Sequence, residues 1–248
     1  MPESTLTRIY NKIENIDEYN INKFWEQKAI NTSSYNAVLL NANLSQDANS
    51  IRNKNERDFL FSCLKNKKYN ILEIGCGNGR WAENLKDKYI DNYIGIDFSG
   101  NFIQQCNLKF KNHPKIKFYQ MSATNLDFNL LNSQYDLIIM TGICMYINDE
   151  DLKSLYMHLN ELLTSNGSLY MQESVSVINK RLTLKDFYSD ELKCNYSAIY
   201  RVPDEYENFI NQNFNNLKLI KNKYLLTKKT GAREETNAFC FYYERGKK

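Results

Sequence analysis

The sequence predicts an α/β fold, a parallel sheet with helices on both faces. Two observations carry this. From Tyr69 onward, short apolar runs at 71–74, 93–96, 116–119, 137–140 and 168–172 alternate with amphipathic stretches at 80–88, 101–110 and 149–163. Strand–helix–strand crossovers produce that alternation. The first run also leads straight into a glycine-rich turn, Gly75-Cys76-Gly77-Asn78-Gly79, which opens the next helix. Glycines there let the backbone turn tightly and lie against a ligand.

Taken in order, residues 1–65 read as a polar helical cap. Ile9, Ile13 and Ile16 are spaced for one helix face. Phe24-Trp25 and 51–64 mark further helical pieces, joined by a polar loop at 31–34. The repeating strand–helix units begin at 66. Asn148 followed by Asp149, Glu150 and Asp151 reads as a cap and an acidic first turn, favourable against the helix dipole. Ser165-Asn166-Gly167 reads as that helix's stop. After Glu173 the rhythm breaks, and 174–198 carries charge and aromatics without clear strands. A helix follows at 203–214, with Pro203 at its first position. The runs 217–226 and 238–243 alternate as two strands around a polar loop. The chain divides into a cap or lid, 1–65, and a main domain, 66–248, in which 174–215 forms a substrate-facing insertion.

Composition excludes several classes. The 248 residues carry a formal net charge of +3, too mild for the basic stripe of a nucleic-acid binder. No C-x-x-C spacing occurs among the cysteines, so neither a zinc knuckle nor a redox pair is indicated. Free thiols point to a reducing cytoplasm. The N-terminus lacks a signal-peptide pattern, and the longest apolar run is far short of a bilayer span.

The glycine turn and its acidic partners suit an adenosine-bearing ligand. Glu73 precedes the loop, and Asp97 ends the next strand, where a carboxylate can accept both hydroxyls of a ribose. The spacing G-x-G-x-G differs from the G-x-G-x-x-G of dinucleotide sites, which argues against a nicotinamide oxidoreductase. Glu73, Gly75, Gly77, Gly79 and Asp97 together resemble motif I and the ribose acid of the class I S-adenosylmethionine (SAM)-dependent methyltransferases. That resemblance spans nearly all of residues 70–248. It implies a Rossmann-like, doubly wound seven-stranded sheet, order 3-2-1-4-5-7-6, with strand 7 antiparallel. It also implies SAM as cofactor, S-adenosylhomocysteine (SAH) as product, and no metal.

Carried onto this chain, the resemblance implies cofactor contacts from Glu73, Gly75, Cys76, Gly77, Gly79, Asp97 and Phe98. Ser122 and Ala123 fall in the loop that contacts the adenine, although Met121-Ser122 stands where many relatives place an Asp. Thr141 falls where relatives contact the methionine end. Arg80 is a candidate for the SAM carboxylate or a solvated helix residue. Tyr146 sits where an acceptor would lie, and Glu173, ending the fifth strand, is the candidate general base. His113 and His158 lie away from strand ends, so a His-based mechanism is disfavoured. Arg181, Arg201 and Arg233 stand out where lysine is the default cation. Arg181 and Arg201, with Tyr188, Tyr196 and Tyr200 around them, form a candidate acceptor site, since guanidinium groups suit anions and tyrosines suit sugars.

The segments around Phe24-Trp25, Ser33-Ser34-Tyr35, Glu173-Ser174, Arg181-Leu182-Thr183 and Ala198-Ile199-Tyr200-Arg201 resemble bacterial methyltransferases that tailor capsule and O-antigen. In that resemblance Trp25 and Tyr35 belong to a lid over the cofactor. It implies O-methylation of a sugar hydroxyl on a nucleotide sugar or surface-polysaccharide precursor, in the cytoplasm. The alternatives are O-methylation of a phosphate-type group, phosphate or phosphoramidate, on a glycan, or a non-catalytic SAM-binding scaffold. The partner is a small-molecule or glycan acceptor, without nucleic acid or membrane span. Monomer and homodimer both remain open.

Overall fold

The computed structural model describes residues 8–31, 46–190 and 192–246. Its centre is a seven-stranded sheet of β2 (Tyr69–Ile74), β3 (Ile90–Asp97), β4 (Ile116–Gln120), β5 (Tyr135–Thr141), β6 (Leu163–Ser176), β9 (Leu217–Tyr224) and β10 (Thr236–Arg245). The order is β4-β3-β2-β5-β6-β10-β9. The pairs from β4 to β6 are parallel, and β10 runs antiparallel to both β6 and β9. This is the expected order, with the last strand in sequence inserted between the fifth and sixth.

Strand alternation divides the core between two faces. Ile138, Met140, Phe239, Phe241 and Tyr243 join one cluster, with α5 (Asp149–Leu162) and α6 (Pro203–Asn213) packed on it. Leu137, Ile139, Ala238, Cys240 and Tyr242 join the other, beneath α2 (Gln46–Cys63), α3 (Arg80–Tyr89) and α4 (Gly100–Lys109). Both faces are covered, which explains why these strands read as continuous apolar runs. Trp81 is a core residue, fully buried and edge-on to Tyr170.

A second sheet covers the cleft. β1 (Arg8–Tyr10), β7 (Leu182–Ser189) and β8 (Cys194–Tyr200) pair antiparallel in the order β1-β7-β8. α1 (Glu18–Asn31) packs beside it through Ile21, Phe24 and Trp25. Three sequence expectations fail here. Ile9 lies in a strand, Ile13 is exposed and Ile16 is buried in a loop before α1, so the three share no helix face. Residues 182–200 are a hairpin, obscured because its alternation is broken by a register shift between Leu184 and Phe187. The helix at 149 ends at Leu162, and Gly167 lies within β6. A Cβ at Gly167 would meet the Leu163 side chain at 2.6 Å, so the glycine serves close packing rather than a helix stop.

Candidate active site

The carboxyl ends of the parallel strands open into a cavity of about 480 Å³, where ligands bind in open α/β sheets. Its floor is the glycine turn between β2 and α3. Gly75, Gly77 and Gly79 have φ of 72°, 50° and 75°, a region that L side chains rarely adopt. A Cβ at Gly75 would lie 2.2 Å from Ile143 Cγ2, on the opposite wall. The turn therefore stays bare, and Gly75, Cys76 and Gly77 face the cavity.

Two acids hold the loop. Asp97 Oδ2 accepts from Gly77 N at 2.9 Å, and Oδ1 accepts from Ser99 N at 2.9 Å. Burial pushes its carboxyl up to about 6, and the two backbone donors partly counter that. Each oxygen keeps further lone-pair capacity, and Asp97 lines the cavity. Glu73 also lines the cavity; it accepts from the Tyr93 hydroxyl, and burial pushes it up to about 8. Phe98, Ser122, Ala123 and Thr141 line the same cavity. Bare backbone, a buried ribose-type acid and a loop from β4 fit the adenosine half of SAM.

Arg80 lines the cavity, as a contact to the SAM carboxylate requires, and is not a solvated helix residue. It is buried, and its Nη1 and Nη2 donate to Glu56 at 2.8 and 3.0 Å, tying α3 to α2. Its neighbours Arg52, on α2, and Arg233, before β10, also line the cavity. These guanidinium groups make one end of the cavity suited to a carboxylate such as the methionyl end of SAM. Arg52 escaped the sequence reading; α2 holds Arg52 and Arg57 beside Lys54, and nothing local singled out the first.

Glu173 lies outside the cavity, which corrects its assignment as general base. Gln172 and Ser174 face the cavity, so strand alternation turns Glu173 away. It is fully buried, and its Oε1 accepts from Ile143 N at 3.2 Å and Cys144 N at 3.0 Å. It holds the loop after β5. Burial pushes its carboxyl up to about 7.

Tyr146 does line the cavity, with its hydroxyl 2.7 Å from that of Tyr196. Burial raises both phenols well above their ordinary range, so they stay protonated and one hydroxyl donates to the other. Trp25 packs edge-on against Tyr146, with ring centroids 5.6 Å apart. Tyr200 lies inside the cavity and half-exposed Tyr188 at its rim. Tyr196 and Phe187 complete this wall. Tyr35 lies outside the described residues.

Arg181 and Arg201 correct a second expectation, for neither lines the cavity. Both are buried on Asp149: Arg181 Nη2 at 2.6 Å, and Arg201 through Nε at 3.0 Å and Nη2 at 2.6 Å. Arg201 also donates to the carbonyls of Cys144 and Ile147, both at 2.7 Å. Arg181, just before β7, and Arg201, just after β8, staple that hairpin to the start of α5, and Arg201 also to the loop after β5. Their planar forks are used for buried structure rather than for an acceptor.

Among the described residues no histidine lines the cavity, no cluster of His, Cys, Asp or Glu is arranged for a metal, and no helix is long and apolar enough to cross a membrane.

Comparison with known proteins bears on the domain and the fold. Residues 71–167 match the methyltransferase-domain family. The chain is 26% identical over 199 residues to malonyl-[acyl-carrier protein] O-methyltransferase 1 of Ilyobacter polytropus, covering 71% of this chain and 72% of that protein. A SAM-dependent methyltransferase of Leishmania major shares the fold with a TM-score of 0.67 at 15% identity, over 92% of this chain and 82% of that one. The N-methyltransferase NodS of Bradyrhizobium japonicum, solved with SAH, superposes with a TM-score of 0.63 at 12% identity, over 92% and 100% of the two chains. Sheet order, bare glycine turn and the domain match over residues 71–167 together support a SAM-dependent methyltransferase enzyme on a class I, Rossmann-like fold.

Proposed function

We propose that this enzyme methylates a hydroxyl of a sugar, carried on a nucleotide or on a capsule or O-antigen precursor, in the cytoplasm. The observation behind the reading is the wall facing the glycine turn, where Trp25, Tyr146, Tyr196 and Tyr200 present aromatic faces and phenolic hydroxyls. Rings of that kind stack on a sugar while the hydroxyls fix its orientation.

SAM would supply a methyl carbon that already carries a good leaving group: the acceptor oxygen takes the methyl, the thioether SAH leaves, and the hydroxyl proton passes to water. The chain's own residues do the rest. The glycine turn and Asp97 fix the adenosine, and Arg52 and Arg233 face the carboxylate end. Tyr146 and Tyr196 orient the acceptor, and α1 covers the cleft. Orientation of that kind supplies up to about 7–11 kcal/mol in favourable cases.

A second reading, methylation of a phosphate-type oxygen on a glycan, is favoured by Arg233, which alone of the three late arginines lines the cavity; in that reading Arg233 meets the acceptor and Arg52 is left for the SAM carboxylate. An oxygen already ionised would need no base. The test is SAM turnover with mass detection of product against nucleotide-linked hexoses and heptoses, with phosphorylated sugars in parallel. A methylated neutral hydroxyl supports the first reading, and transfer only to phosphorylated members supports the second.

A further inference from the structure

Behind the aromatic wall lies another groove, of about 560 Å³, between α1 and β8. Tyr146 and Tyr196 line both this groove and the methyl-transfer cavity, so the paired phenols are the partition between them. We propose that the groove is a second carbohydrate subsite, holding sugar units adjacent to the one that is methylated. The proposal rests on the reading of the acceptor as a sugar and extends it to an oligosaccharide.

The lining chemistry selects the ligand class. Asn20, Gln27, Asn195 and Ser197 offer amides and a hydroxyl, and Phe24 and the two tyrosines offer rings. Planar amides and carboxylates pair with vicinal hydroxyls, and rings stack on the apolar face of a sugar. Lys23 and Asp186 are the charged lining residues, opposite in sign, so the groove favours an uncharged polar ligand over a phosphate. Its few apolar side chains do not make the continuous stripe that a helix or lipid requires.

The backbone supplies an independent observation. Asp186 sits where the β7–β8 register shifts, with φ of 50°, and its N donates to Ser197 Oγ at 2.9 Å. Bulges re-aim side chains, and Asp is among the residues that adopt the left-handed region such a bend requires. Here the bulge places Asp186 in the groove. Its Oδ1 meets Asn20 Nδ2 at 3.5 Å, a long contact that a ligand hydroxyl can replace.

The experiment uses the full chain saturated with SAH on an array of immobilised bacterial oligosaccharides. Wild type, Asp186→Asn and Asn195→Ala are compared, with SAH affinity measured separately. Asn tolerates positive φ, so Asp186→Asn keeps the bulge. The expected result is retention of oligosaccharides that falls about tenfold or more in each variant, as loss of a hydrogen bond to a charged or amide group implies, with SAH affinity unchanged. No retained oligosaccharide, or equal retention by all forms, overturns the subsite. The two readings fail separately. Methylation of a nucleotide-linked hexose without oligosaccharide retention keeps the sugar acceptor and removes the subsite. Retention dependent on Asp186 and Asn195, without transfer to any sugar, keeps the subsite and removes the sugar acceptor.

Discussion

Glu173→Gln separates a general base from a residue that holds a loop. The native carboxylate accepts two backbone N–H groups through Oε1, and the amide keeps an oxygen able to do the same. A general base contributes about 10²–10⁴-fold, so its removal would lower kcat by that factor. A positioning role predicts kcat/KM within about tenfold of wild type, because the loop after β5 keeps its anchor. Stability supplies the magnitude. Burial raises the carboxyl from 4.5 to about 7, and at 1.36 kcal/mol per unit the charged form costs roughly 3 kcal/mol above that pH. Glutamine removes this cost but places N–H donors where Oε2 finds no hydrogen-bond partner, a penalty of about 1–3 kcal/mol. The variant is therefore less stable than wild type at pH 5 and comparable at pH 8. Steady-state kinetics from pH 6 to 9 and thermal unfolding at both pH values read these outcomes. A loss of kcat above about 100-fold at unchanged Tm, with the inflection near pH 7 abolished, would refute the positioning role.

Further outcomes follow from the same geometry. Arg201→Ala leaves Asp149 and two carbonyls short of a donor and should destabilise the fold by about 3–5 kcal/mol, read by denaturant unfolding; a raised acceptor KM at unchanged stability would contradict the structural role. Gly75→Ala forces a Cβ to 2.2 Å from Ile143 and strains a φ of 72°, so SAH binding in a calorimeter should be lost or greatly weakened. Asp97, Glu73 and Glu173 have folded values raised to about 6, 8 and 7. The folded state binds these protons more tightly than the unfolded chain. Their contribution is full below about pH 4 and is lost as pH rises towards 8, so unfolding free energy from these groups should fall across that window. A rise traced to them by Glu→Gln variants would reverse the argument.

The sheet was legible because its signals are local. Continuous apolar runs at β2, β5 and β6 fit strands buried on both faces, and Gly75–Gly77–Gly79 mark a backbone that only glycine adopts freely. The site was legible where it belongs to that loop, as with Asp97. It was illegible where long-range pairing decides a side chain's use. Nothing local distinguishes Arg201, spent on Asp149, from Arg233, which faces the cavity. Glu173 lies on β6 between the cavity-lining Gln172 and Ser174, but strand alternation turns it away, and that parity depends on register with β5 and β10. The β7–β8 hairpin was hidden by the bulge at Asp186, which breaks the period of two.

The most direct test of the account is calorimetric titration of SAH into wild type and Asp97→Asn. Asn keeps one oxygen for the glycine loop but loses the charge offered to a ribose. Hydrogen bonds to charged groups are worth about 1.5–3 kcal/mol, so affinity should fall roughly 10- to 150-fold while the fold is retained. Failure of wild type to bind SAH, or equal binding by both proteins, would contradict the assignment of this cavity to the cofactor.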